Sequence, residues 1–528
     1  MLQLPPPDSH PVLIARKLLV LGTFLQGVVP ASVQSLDDRG VCCRDIMTRV
    51  VDQAIRLVTT NDELIYSVEG IECIMMEVMY QNYAGNLHRA WMAVHRAIAL
   101  AQMMALHRGP NSPSLKFVEP ETRAAFDPDH ICFRLVQMDR YLSIMLGLPH
   151  TSLEARFAIP TASEGGGVDR MERFHCAVAE RILQRNNADV NNLSKTRDID
   201  KLLQTAAAEM PPQWWLNPTF ATEADLLSDT VRLMQQLTHY HLLARLHMPY
   251  MLRWSPDNRL DHSKITAVNA SREILSRYIV FRTSNPAHFY CRGCDFLAFV
   301  ATTIMCLAHI TSSSHSQGDH TIFSSLAHSR PSDRGIMERT SETIESMARA
   351  RVADAIAPKL TRIIHHLLDV EASAATGTIY STSSSDCDEG EFDGNVTHGG
   401  KALHVHIPYF GTITFERGII SKSAPSQLDV PVDTLLSNQL IEPHDEHLRT
   451  PTSLLSSQIG DQPCLDLNTD VFQLDSDPAS AGNTTPPIQI PDLMLTGTDD
   501  WDLQGIDIAL FDSLFRGIDI PAEDAWMS

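Results

Sequence analysis

Residues 86–108 read NLHRAWMAVHRAIALAQMMALHR, and residues 138–149 read MDRYLSIMLGLP. In the first stretch Ala90, Trp91, Val94, Ile98, Ala101 and Ala105 recur at three- and four-residue spacings, which places them on one stripe of a helix. The ionisable residues His88, Arg89, His95 and Arg96 lie largely off that stripe. Gly109-Pro110 predicts the stop, because glycine accepts a left-handed turn and proline cannot continue a helix. The stretch therefore reads as a core helix of an all-α domain and carries no catalytic group.

The same periodicity runs through most of residues 11–370. PVLIARKLLVLGTFLQ, CRDIMTRVVDQAIRLV and LIYSVEGIECIMMEVMYQN precede the opening stretch, with Asn61 or Asp62 placed to cap the third. Asp129 is placed to cap the helix that Gly147 and Pro149 end. Long helices are predicted within residues 224–252, 265–281, 289–310 and 338–370, and residues 311–336 read as a mobile Ser/His/Gly insertion. Residues 18–31 imitate a signal peptide but suit a helix of the body better, and no segment reads as long and apolar enough to cross a membrane.

Charge divides the chain. Residues 371–528 hold 26 acidic against 5 basic side chains, a net of −21, which leaves 38 and 37 in residues 1–370. A neutral body without a Lys/Arg run argues against binding nucleic acid by bulk electrostatics. Residues 371–490 read as a disordered acidic and Ser/Pro linker in which only 403–417 alternates enough for a short strand pair, and residues 1–10 as a disordered N-terminus. Residues 491–528 are acidic and amphipathic. Trp501, Leu510, Phe511, Leu514, Phe515 and Ile518 supply an apolar face interleaved with Asp507, Asp512 and Asp519, the pattern of an activation segment that folds into a partner's groove.

Enzyme signatures are missing: there is no GxxxxGK[ST], GxGxxG or GxSxG. Ten irregularly spaced cysteines fit a reducing compartment rather than a disulfide framework. Cys291 and Cys294 form a CxxC inside an apolar run, with Cys306 and His309 downstream. They read as packed side chains rather than metal ligands. The His239/His241, His365-His366 and His404/His406 pairs read as surface or partly packed, and Trp214-Trp215 as a core anchor before a helix.

Residues 70–153 resemble the middle homology region of fungal zinc-cluster transcription factors, the fungal-specific transcription factor domain. The resemblance rests on Arg89-Ala90-Trp91, the Ala-rich helix, the closing His107-Arg108, and the element formed by Asp139, Arg140, Ser143, Gly147 and Pro149. Leu148 stands where that element usually carries Arg. The resemblance implies an all-α regulatory domain of a nuclear regulator of RNA polymerase II genes, not an enzyme. It implies no cofactor in this chain, with zinc expected only in an N-terminal zinc cluster. No Cys-x2-Cys-x6-Cys series precedes the helices, so DNA contact is expected through a module missing from this sequence or through a partner factor. The acidic tail is expected to bind a coactivator or the transcription machinery. Homodimerisation stays open, and no membrane role is expected. A co-regulator acting through another factor is the alternative reading, and an enzyme or ligand-binding helical protein a second. Asp139 and Arg140, adjacent charges in an apolar helix, must pair with neighbouring helices, and His88 or Arg89 is the expected partner of Asp139.

Overall fold

Local chemistry sets the ends of the helices, as seen in the computed structural model of the chain. It describes residues 5–28, 42–151, 166–185, 187–190, 192–220, 226–253, 259–284, 291–314, 321–349, 356–385, 402–407 and 411–417. The helices are α1 (Pro11–Gln26), α2 (Cys43–Ala54), α3 (Val68–Ala84), α4 (Leu87–Met103), α5 (Pro120–Ala125), α6 (Pro128–Leu146) and α7 (Gly167–Leu183). They continue with α8 (Asn187–Val190), α9 (Leu193–Ala208), α10 (Leu226–His247), α11 (Asp261–Ser284), α12 (Gly293–Ser314), α13 (Thr321–Arg349) and α14 (Ile356–Ala375). The all-α fold class is as predicted.

Several caps fall a few residues from where the sequence places them. Ser67, not Asn61 or Asp62, caps α3, its hydroxyl accepting from the Gly70 N–H at 3.0 Å. Asn61 instead closes the preceding turn by accepting from the Glu63 N–H. Asp127 rather than Asp129 caps α6, with Pro128 in the first turn, where its missing N–H costs nothing. Helix α4 stops before Gly109, at Met103: Ala105 takes a left-handed φ of 51°, and the chain turns back so that Met104 and Leu106 are buried. Burial of those two side chains offsets the cost of a left-handed alanine.

One large core joins α1 to α4, α6 and α10 to α14. A smaller one, built on Ile144, Val178, Ile182, Leu203 and Leu246, lies where α6, α7, α9 and α10 meet. Residues 293–313 of α12 are long and apolar enough to cross a membrane by length and composition, contrary to the sequence expectation, but residues 293–310 are all buried inside the helical body. The helix reads as all-apolar because α11, α13 and α14 surround it.

The predicted mobile insertion at 311–336 is largely helical. Residues 311–314 finish α12 and 321–336 open α13. The polar side chains that made this stretch look loose hold it in place. Asp333 accepts from Arg272 (2.6 Å), His309 (2.9 Å) and Ser329 (3.0 Å), and Glu371 of α14 pairs with Arg330 (2.6 Å) and Arg334 (2.9 Å). Beyond α14, β1 (Tyr380–Ser385), β2 (Ala402–Ile407) and β3 (Gly411–Arg417) form an antiparallel sheet in the order β1-β3-β2. The serine-rich segment read as linker thus supplies an edge strand. Leu403, Val405, Ile407, Ile413 and Phe415 alternate inward and join the large core, so the strand pair is not isolated.

Candidate functional site

The motif residues of the two diagnostic stretches meet where α4 packs on α6. Asp139 is 2% exposed. Its Oδ1 faces His95 Nε2 at 3.0 Å, and its Oδ2 accepts from both the N–H and the hydroxyl of Thr151 at 2.8 Å. One turn before His95, Trp91 packs its ring against the imidazole, centroids 3.9 Å apart and planes tilted by 42°, and donates its indole N–H to Ser143 Oγ at 3.3 Å. Ser143 in turn donates to the Pro149 carbonyl at 3.2 Å. Gly147 ends α6 with a left-handed φ of 71°, so the chain can fold back for these bonds.

Each of these polar groups thus holds residues 147–151 against the helix pair. The carboxylate's lone pairs are taken up by Thr151 and His95, and Trp91 covers one side of the imidazole. The arrangement fixes a turn rather than presenting a base to a substrate.

Arg140 points the other way. Its guanidinium pairs with Glu180 at 2.9 Å and donates to the Cys176 carbonyl at 3.3 Å, tying α6 to α7. Asp139 and Arg140 therefore pair with neighbouring helices, but the partner of Asp139 is His95, not His88 or Arg89. A residue four positions from Trp91 shares its face, and that spacing is the signal that would have found His95. Thr151 and Glu180 gave no local signal. Of the remaining motif residues, Ala90 is fully buried, Arg89 and His107 are half-buried, and Arg108 is exposed, the last two in the 3-10 turn after α4. Trp501, Leu510, Phe511, Leu514, Phe515 and Ile518 lie outside the described residues.

A second polar cluster corrects the reading of the histidines. His239 and His241 are buried, because α10 is enclosed on both faces by its neighbours. His239 Nδ1 lies 3.0 Å from His175 Nε2 and edge-on to Trp215. Burial, and then the charge of Arg277, lowers His239 to about 4. Burial, and then Arg245, lowers His241 to about 3. The backbone carbonyls of Trp214 and Trp215 accept from Arg232 and Arg277 at 2.7 Å, which anchors the segment between α9 and α10. Between α1, α3, α5 and α6 an open hollow of about 360 Å³ is lined by Arg16, Glu72, Glu119, Thr122, Phe126 and His130. Arg16 crosses it to pair with Glu72 (3.2 Å) and Glu119.

Nothing in either cluster sets up a reaction, so the relatives decide the class of protein. The chain is 34% identical over 98% of its length to the dehydrocurvularin biosynthesis regulator of Alternaria cinerariae, covering 74% of that protein. It is 35% identical over 98% of its length to the regulator of the same name from Aspergillus terreus, again covering 74%. Transcription factor sdnS of Sordaria araneosa is 30% identical over 97% of this chain and 69% of its own. The chain belongs to this family of fungal transcription factors. It is a fungal transcriptional regulator. No protein-family model matches the chain, and no solved structure matches it.

Proposed function

We propose that this regulator works in the nucleus as a pathway-specific activator of biosynthesis genes. Its helical body is read as the fungal-specific transcription factor domain and its acidic C-terminal segment as the part that engages the transcription machinery. The observation that carries the reading is the similarity, over 98% of this chain and 74% of each relative, to two proteins named biosynthesis regulators. The Asp139–His95–Trp91 cluster supports a scaffolding role for the body, since its polar groups are consumed in holding a turn. DNA is reached through a zinc-cluster module or a partner factor, because the body carries no basic excess.

The test is genome-wide transcript measurement after deletion and after forced expression of the gene. A contiguous set of biosynthesis genes should fall in the first strain and rise in the second. Unchanged transcripts in both strains would remove the reading.

A further inference from the structure

Cys291 and Cys294 bracket the start of α12, where the Cys294 N–H donates to the Cys291 carbonyl at 3.1 Å. Cys291 adopts a φ of 56°, a left-handed conformation that costs a residue with a β-carbon and that the surroundings must enforce. That turn brings the two Sγ atoms to 3.4 Å. From α10, Met234 places its thioether Sδ 3.7 Å from Cys291 Sγ and 3.8 Å from Cys294 Sγ. Three sulfur atoms, from α10, the first turn of α12 and the turn before it, therefore form a nearly equilateral triangle.

A metal bonded to sulfur at about 2.3 Å in a trigonal plane spaces its ligands about 4.0 Å apart, and the centre of the observed triangle lies about 2.1 Å from each corner. The triangle is thus a few tenths of an ångström from the size a bound ion needs. Its donors are all soft. Two thiolates and a thioether are the set that selects Cu(I), whereas hard cations take oxygen ligands. Zinc takes at least three cysteine, histidine or carboxylate ligands, so beside the two cysteines it would need a further such donor. The two downstream residues that could have supplied it are engaged elsewhere: Cys306 faces Met337 Sδ at 3.6 Å, and His309 faces Asp333 at 2.9 Å. The first turn of α12 and the Arg282 guanidinium, which donates to the Cys291 carbonyl at 3.1 Å, favour negative sulfur here, whereas burial and the Asp295 carboxylate that Arg282 pairs with at 2.7 Å oppose it. Cys291 is 8% and Cys294 3% exposed, and Met234 is half-buried, so the triangle lies just beneath the surface.

We propose that Cys291, Cys294 and Met234 form a trigonal sulfur site for a soft monovalent cation, Cu(I). Binding releases the thiol protons to solvent and ties α10 to the start of α12, so the stability of the helical body rises with Cu(I).

The experiment takes the full-length chain, reduced and anaerobic, and has it compete for Cu(I) with a chromogenic Cu(I) chelator. One equivalent per chain should be withdrawn, the thermal midpoint should rise, and X-ray absorption should show three sulfur neighbours at about 2.3 Å. Cys291→Ser and Cys294→Ser should abolish uptake. Met234→Leu, which keeps the volume, should weaken it at least about tenfold and reduce the shell to two sulfurs. Cys42→Ser, at an exposed cysteine, should change nothing. Circular dichroism checks the fold of each variant, and if a cysteine variant does not fold, Met234→Leu decides alone. No Cu(I) withdrawn by the folded wild-type chain overturns the proposal. So does uptake undiminished in a folded Cys291→Ser variant, or equal affinity in Met234→Leu. A Cys291–Cys294 disulfide with no Cu(I) uptake after reduction overturns it too and makes the pair a redox element.

Discussion

Replacing Asp139 with alanine removes one acceptor group from three donors at once: His95 Nε2, the Thr151 N–H and the Thr151 hydroxyl. A hydrogen bond to a charged group contributes about 1.5–3 kcal/mol, and breaking a buried ionic network by deleting one partner costs about 3–5 kcal/mol. Thr151 and His95 are half-buried, so water can recover part of the loss, and about 3 kcal/mol is the expected destabilisation. Asp139→Asn keeps an acceptor but loses the charge, and about 1–2 kcal/mol is expected. Ser143→Ala, which breaks the relay from Trp91 to the Pro149 carbonyl, should cost about 1 kcal/mol. Urea unfolding of the full chain followed by circular dichroism measures the series. An Asp139→Ala variant that unfolds at the wild-type urea concentration, or a Ser143→Ala variant that loses more than Asp139→Ala, would rule out this role for the carboxylate.

Three further outcomes follow from the same packing. His239 and His241 titrate near 4 and 3 in the folded chain and near 6.5 when unfolded, so the unfolded chain binds more protons between those values. Their stabilising contribution is complete above pH 6.5 and falls with acid, by about 2 kcal/mol for each histidine between pH 7 and pH 5. Urea midpoints that coincide at the two pH values would contradict this. Gly70→Ala puts a β-carbon 2.0 Å from the Ile65 carbonyl oxygen, a backbone atom that cannot swing away, and should cost about 1–3 kcal/mol in the same assay. Arg140→Leu leaves Glu180 without its cationic partner, with only Gln184 still donating to it, and should cost about 2–3 kcal/mol, with Glu180→Gln in the same background recovering part of it.

The helical class, the order of most helices and the neutral body were legible because burial at three- and four-residue spacing writes itself into sequence. Ala90, Val94, Ile98 and Ala101 are all buried as their spacing requires. What escaped depends on contacts between distant residues. Nothing near Ser329 or Asp333 signals that Arg272 and His309 will hold them, so a well-anchored helix read as a mobile insertion. The serines of β1 became a strand only because β3 offered an edge. Buried histidines read as surface or partly packed ones because α10 has polar side chains all round and still lies among other helices. At the motif cluster, Trp91, Asp139 and Ser143 were visible, whereas Thr151 and Glu180 became partners through tertiary contact alone.

The proposal that this regulator activates transcription through its C-terminal acidic segment is open to a reporter assay. Residues 461–528 are fused to an unrelated DNA-binding module, alone and with Phe511→Ala and Phe515→Ala together. The unmutated fusion should activate the reporter strongly and the double variant should not, because acidic residues without the apolar face have nothing to insert into a partner groove. An inactive unmutated fusion, or a double variant that activates equally well, would contradict it.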